Sequence, residues 1–326
     1  MKFSNLSEFV RAVKDRKEEL RQQQVAVGTS GGFLVPADQR KELLRVAAEE
    51  AVVRGRATVF PPAEENPDAP LDSLPLLDQR AGGYYGNMSF SWTAEGAPKP
   101  ATAINYAALN LVPQEISGHI VVTDKLLRNV QNSGVYFDQL LAGGLAEAED
   151  AAFLTGAGGN MPQGVMNCPG RIDIPRTGFP SAVAGDNYID LISMISALVP
   201  SSLERAIFVA SADLFAELYT TTDVNGSLVL KPGEGGRRWT LMNFPIAFSS
   251  HLPDTGNRGD LMLCDLRYYV IKDGFGPSIS ASAETETMFI QNQTCVKIFH
   301  STDGAGILAE PMVINGRTRS PFVILE

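Results

Sequence analysis

The chain has 326 residues, 44% of them hydrophobic and 20% charged, enough to bury a sizeable core and too apolar for general disorder. Its formal net charge is −10, and no cluster of Lys and Arg stands beyond residue 45, which argues against a surface built to coat phosphates. Three scattered cysteines exclude a disulfide framework, the three histidines are as scattered, and no apolar run is long enough to span a membrane.

Residues 2–24 place Phe3, Leu6, Phe9, Val10, Val13 and Leu20 at helical spacing. This is a thin amphipathic arm, suited either to lying on a neighbour or to solvent. A second helix is predicted from Ala37 to Arg54, then a short strand at Thr58–Phe60. Prolines at 61, 62, 67, 70 and 75 mark the least globular stretch. Met88, Phe90 and Trp92 alternate with Ser89 and Ser91, the period of a strand with one apolar face, and Ile104 to Val112 returns as its partner. Residues 62–108 therefore read as a long projecting hairpin. An isolated hairpin is marginal in water, so its apolar face needs a cover, from the same chain or from an adjacent subunit.

A strand at Ser117–Thr123 leads to Ser133, a suitable N-cap for a helix over Val135–Leu154. Phe137, Leu140, Leu141, Gly144, Leu145, Ala148 and Ala152 share one predicted face, while Glu147, Glu149 and Asp150 read as solvated. Gly143 and Gly144 inside a helix cost roughly 1 kcal/mol each relative to alanine, which points either to close approach of another backbone or to simple tolerance of the cost. The Gly-rich run Gly156-Ala-Gly-Gly159 follows this helix instead of preceding one, so it reads as a structural corner and not a phosphate cradle.

Residues 171–280 carry shorter elements: a helix over Tyr188–Leu198, a buried strand over Ala206–Ala210 and a short helix over Asp213–Tyr219. Asn225-Gly226 signals a turn, and the glycine-rich loop Lys231–Arg238 ends in Arg237 and Arg238. Thr287–Phe299 and Ile307–Leu325 are predicted strands joined by Ser301–Gly306. No metalloprotease, nucleophile-elbow or P-loop motif occurs, and nothing calls for a cofactor or a metal. The triplet Arg258-Gly-Asp260 reads as chance.

Five segments, in order, resemble the major capsid proteins of tailed bacteriophages with the Hong Kong ninety-seven fold. They are Gly31-Gly-Phe-Leu-Val-Pro36, Trp92-Thr-Ala-Glu-Gly96 with Lys99-Pro100, the corner after the long helix, Met242-Asn-Phe-Pro-Ile246, and Gly259-Asp260 followed by Leu266-Arg-Tyr-Tyr-Val270. The resemblance implies an α+β chain in five parts. These are an N-terminal arm and helix (1–57), an extended hairpin (58–108), a peripheral domain with a spine helix (109–170), an axial domain (171–280) and returning strands of the peripheral domain (281–326).

It also implies a non-enzymatic protein that self-associates into hexamers and pentamers of an icosahedral virion shell, assembled in the host cytoplasm around double-stranded DNA that it contacts weakly. Inter-subunit contacts are expected at Met88, Phe90, Trp92, Lys99, Gly143, Gly144, Arg237 and Arg238. Partners would be the chain itself, a portal, and a separate scaffolding protein, unless the amphipathic arm does part of that work; no membrane is involved. Some members of the family join subunits by a Lys–Asn isopeptide bond, for which Lys99 and Asn292 are the nominees. Phe299 stands where the assisting carboxylate is expected, a departure that weighs against the link. An encapsulin-like compartment and a hydrolase with dispersed site residues are the alternatives.

Overall fold

A computed structural model describes residues 51–80, 83–86, 88, 90, 92–96, 104–125, 133–177, 186–223, 225–233, 238–282 and 286–326. The arm over 2–24, the start of the second helix, Lys99 and Arg237 lie outside them. The chain divides into two compact units.

In chain order the strands are β1 (Thr58–Phe60), β2 (Leu71–Leu77), β3 (Tyr106–Leu111), β4 (Gln114–Thr123), β5 (Ile172–Ile174), β6 (Ile207–Ser211), β7 (Leu230–Pro232) and β8 (Trp239–Leu241). Then come β9 (Phe244–Ser249), β10 (Leu261–Cys264), β11 (Tyr269–Asp273), β12 (Ser278–Ser282), β13 (Gln293–Gly306), β14 (Met312–Ile314), β15 (Arg317–Arg319) and β16 (Phe322–Leu325). The helices are α1 (Ser133–Thr155), α2 (Asp186–Ala197), α3 (Phe215–Thr220) and α4 (Glu286–Gln291).

The smaller unit contains residues 117–145 and 277–299. Here β12 and β4 pair with the first half of β13. Alternation along β4 buries Val122 and leaves Ser117, His119 and Val121 exposed. Leu141 and Leu145 of α1 pack with Ile120, Val296 and Ile298 to form this unit's core.

The larger unit is organised on a seven-stranded sheet in the order β5-β16-β10-β6-β9-β8-β7. Its central strands β6, β10 and β16 are buried throughout, the pattern of a sheet covered on both faces. On one face α2 contributes Leu191, Met194 and Leu198, and the α3 segment contributes Leu214 and Leu218, against Phe208, Leu261, Leu263 and Val323. On the other, Phe153 and Leu154 of α1 join Val52, Val53, Val165, Met262 and Ile324. The hairpins β8–β9 and β14–β15 turn on residue pairs with positive φ, Met242-Asn243 at 51° and 71° and Asn315-Gly316 at 49° and 74°. Such pairs match the right-handed twist of the flanking strands.

Three expectations are corrected. Ala51–Arg54 is a bend and turn and not helix, because the Val52 and Val53 amides donate to the Asp150 carboxylate instead of a preceding carbonyl. Ser301–Gly306 is not a joint: β13 runs through it for 14 residues, after the short helix α4. Its glycines serve close packing, since a Cβ at Gly304 would stand 2.7 Å from the Tyr269 hydroxyl and one at Gly306 2.8 Å from Cys168 Sγ. Finally, β16 does not join the sheet of β11 and β13; it adds to the seven-stranded sheet between β5 and β10.

Candidate assembly surfaces

The hairpin exists, but its outgoing strand is β2, which pairs antiparallel with β3 from Leu77↔Tyr106 to Leu71↔Leu111. Pro75 sits within β2, which has one partner strand among the described residues, so the missing N–H can face away from the ladder. Met88, Phe90 and Trp92 lie beyond it, and none of the three is assigned to a strand among the described residues. Phe90 is 85% exposed and Trp92 fully exposed, while Tyr85 and Tyr106 add to the open aromatic surface. Large apolar side chains left this open are candidates for cover by a partner.

The spine helix α1 carries Gly144 on its exposed side, where an added Cβ would meet nothing within 4 Å. No described part of the chain approaches there. The face predicted from spacing is also displaced: Leu140, Gly144 and Ala148 are exposed, whereas Glu149, Asp150, Phe153 and Leu154 are buried. The expectation that Glu149 and Asp150 are solvated is therefore wrong, and the reason is their partners. The Asp150 carboxylate accepts from the amides of Val52 and Val53 at 2.9–3.0 Å. Glu149 accepts from Arg54, which also makes a two-pronged pair with Asp273 at 2.9 Å per contact. His300 completes the group, with Nε2 3.2 Å from Glu149 and Nδ1 2.8 Å from the Phe275 carbonyl. Burial works against charge on Arg54, yet its bond to Asp273 and the nearby Glu149 outweigh that and hold its pKa above the ordinary value. Sequence spacing offered no signal for this cluster, whose members come from four separate segments.

The corner after α1 is structural, as its order in the sequence predicts. Gly158 and Gly159 take φ of +82° and +87°. Ala157 bridges Gln163, and Asn167 Nδ2 donates to the carbonyls of Thr155 and Gly156 at the helix end. A Cβ at Gly156 would lie 2.2 Å from the Pro162 carbonyl oxygen.

Of the remaining nominated residues, Arg238 is exposed and its carbonyl accepts from Gly233. Asn292 is exposed at φ 51°, turning α4 into β13, with its carbonyl taking the Asp124 amide. Phe299 lies under the Lys297 ammonium, 4.8 Å from ring centroid to Nζ.

The triplet at 258–260 is no free adhesion signal. Asp260 is buried, accepting from Arg176 and from the Gly256 amide, and Arg258 is turned to the Met166 carbonyl and Asp173. Burial pushes the thiols of Cys168 and Cys264 up to about 12, so neither is a nucleophile near neutral pH. Among the described residues no helix is long and apolar enough to cross a membrane, and no group of three His, Cys, Asp or Glu could hold a metal.

Comparison with known proteins gives a consistent answer. The model of the phage capsid family matches residues 31–314. The major capsid protein of Halomonas phage phiHAP-1 is 28% identical over 181 residues, 54% of this chain but only 27% of that relative's length. Among solved structures, the capsid of a native GTA particle superposes with a TM-score of 0.68 at 16% identity, covering 92% of this chain and 97% of that one. A solved structure from Gordonia phage Cozz gives 0.59 at 15% identity, covering 92% and 94%. The chain belongs to the phage capsid family.

Proposed function

We propose that this chain is the shell-forming subunit of a tailed-phage virion, associating with itself in hexamers and pentamers around double-stranded DNA. The observation that carries the reading is the family match across most of the chain, in register with a fold shared with capsid structures over 92% of its length. Its work is geometric: no catalytic step is assigned to it. The five-part division of the sequence is kept, with the seven-stranded sheet as the axial domain, Phe322–Leu325 added to it, and the hairpin laid over a neighbour. Net charge of −10 suits a wall that does not adsorb its contents. The likeness to phage and GTA capsids favours a DNA container over a cargo compartment. Scaffolding protein and portal are the further partners of this reading, and subunits are held without covalent links. Light scattering of the purified chain tests it: a mass far above 35.1 kDa that rises with concentration is expected, and a constant monomer overturns it.

A further inference from the structure

We propose that two exposed surfaces toward opposite ends of the seven-stranded sheet are the two halves of one contact between neighbouring copies of this chain. The inference rests on the shell reading and names the surfaces that would close its rings.

The first surface is on α2. This helix is apolar on both sides: Leu191, Met194 and Leu198 are buried, yet Ile189 and Ile192 are 56% and 42% exposed. Its outer side thus sets Ile189 and Ile192 beside Ser196, and exposed apolar side chains of this size mark a surface that a partner can cover. Beside it runs a groove of about 640 Å³ lined by Ser193, Ser196 and Leu203, with Arg317 and Arg319 as the charged wall residues among the described ones. Arg319 is turned to the carbonyls of Ser196 and Leu198 at the helix end, while Arg317 is exposed.

The second surface is the helical segment 212–220. Leu214 and Leu218 point into the core, and Phe215 packs edge-on against Trp239 and Phe248. Outward stand Ala212, Asp213 and Ala216, and Tyr219 is half exposed, with its ring also stacked on Phe215 and edge-on to Trp239. Two alanines allow another helix to approach, Tyr219 offers an apolar anchor, and Asp213 offers charge opposite to Arg317.

Topology makes the pair meaningful. α2 packs on β5 and β16, and the 212–220 segment packs on β8 and β9, toward the two ends of the strand order. A contact joining two different surfaces of one chain repeats head to tail and closes into a ring when the rotation allows. Rings are what a shell of hexamers and pentamers requires.

Single variants Ile192→Cys and Tyr219→Cys, each also carrying Cys295→Ser, are allowed to assemble separately and as an equal mixture, then oxidised. A disulfide-linked dimer on a denaturing non-reducing gel is expected in the mixture and at least tenfold less in either variant alone. The double variant should give a ladder of higher species. Ile192→Asp should keep the wild-type melting temperature while cutting assembled material at least tenfold. Particles that form without a linked dimer, or a dimer as strong in one variant alone, overturn this contact and leave the shell reading standing. A wild-type chain that never assembles overturns both.

Discussion

Arg54 and Asp273 meet in a two-pronged ion pair, Nη1 to Oδ2 and Nη2 to Oδ1, each at 2.9 Å, although 219 residues separate them in the chain. Glu149 binds the same guanidinium from α1, and Asp150 next to it holds the amides of Val52 and Val53. The consecutive acids thereby fix the segment that leads from residue 51 into β1 within the larger unit.

Removing Glu149 leaves Arg54 and His300 facing an emptied position. Glu149→Ala should cost about 3 kcal/mol, the low end for a broken buried pair because Arg54 is partly open to water. Urea denaturation of the unassembled chain measures it. Arg80→Ala removes an exposed pair with Asp78 and Glu310 and should leave the curve unmoved.

Gly164 is held against the backbone of the corner: an added Cβ would lie 2.5 Å from the Gly156 nitrogen and 2.7 Å from that of Thr155. Gly164→Ala should therefore abolish soluble folded protein or lower its melting point severely. Gly159→Ala meets no neighbour and only the strain of φ +87°, so it should cost roughly 1–2 kcal/mol. Thermal melts of both variants, followed by circular dichroism, separate steric from conformational need.

How far the sequence could be read follows from these particulars. Strong periodicity and punctuation survived: the long helix, the corner after it, the buried strand β6 and the turn at Asn225-Gly226 lie where spacing placed them. Local rules failed where a distant partner decided. Glu149 and Asp150 look solvated until Arg54, Asp273 and the Val52 amide arrive from elsewhere. Gly304 and Gly306 look like a turn until Tyr269 and Cys168 are seen to need the room. Met88, Phe90 and Trp92 carry strand alternation, yet among the described residues the partner of β3 is β2. The surfaces that meet another copy leave their trace in one chain only as unexplained exposure.

Thiol chemistry follows burial. Cys168 and Cys264 are buried with thiols pushed up to about 12, so both stay protonated at pH 8 and react only when the fold opens. Titration with a disulfide reagent should find at most Cys295 in the native protein and all three cysteines in guanidinium. Fast native labelling of two or more would refute the packing described for Cys168 and Cys264.

Trp92 is fully exposed and joins no core cluster among the described residues, so Trp92→Ala should leave the melting of the unassembled protein unchanged. If a neighbour covers it, the roughly 3–5 kcal/mol that a buried aromatic contributes should be missing from assembly instead. Sedimentation of the variant beside wild type gives the answer: fewer particles at equal folded protein supports the covered hairpin, and equal particle yield counts against it.

The central claim, that this chain builds a closed shell from rings of itself, is tested most directly by electron microscopy of the assembled protein. The account predicts closed icosahedral particles whose surface resolves into five-fold and six-fold clusters of one 35.1 kDa chain. Homogeneous monomers, or open aggregates without five-fold and six-fold clusters under every condition that keeps the chain folded, would contradict it.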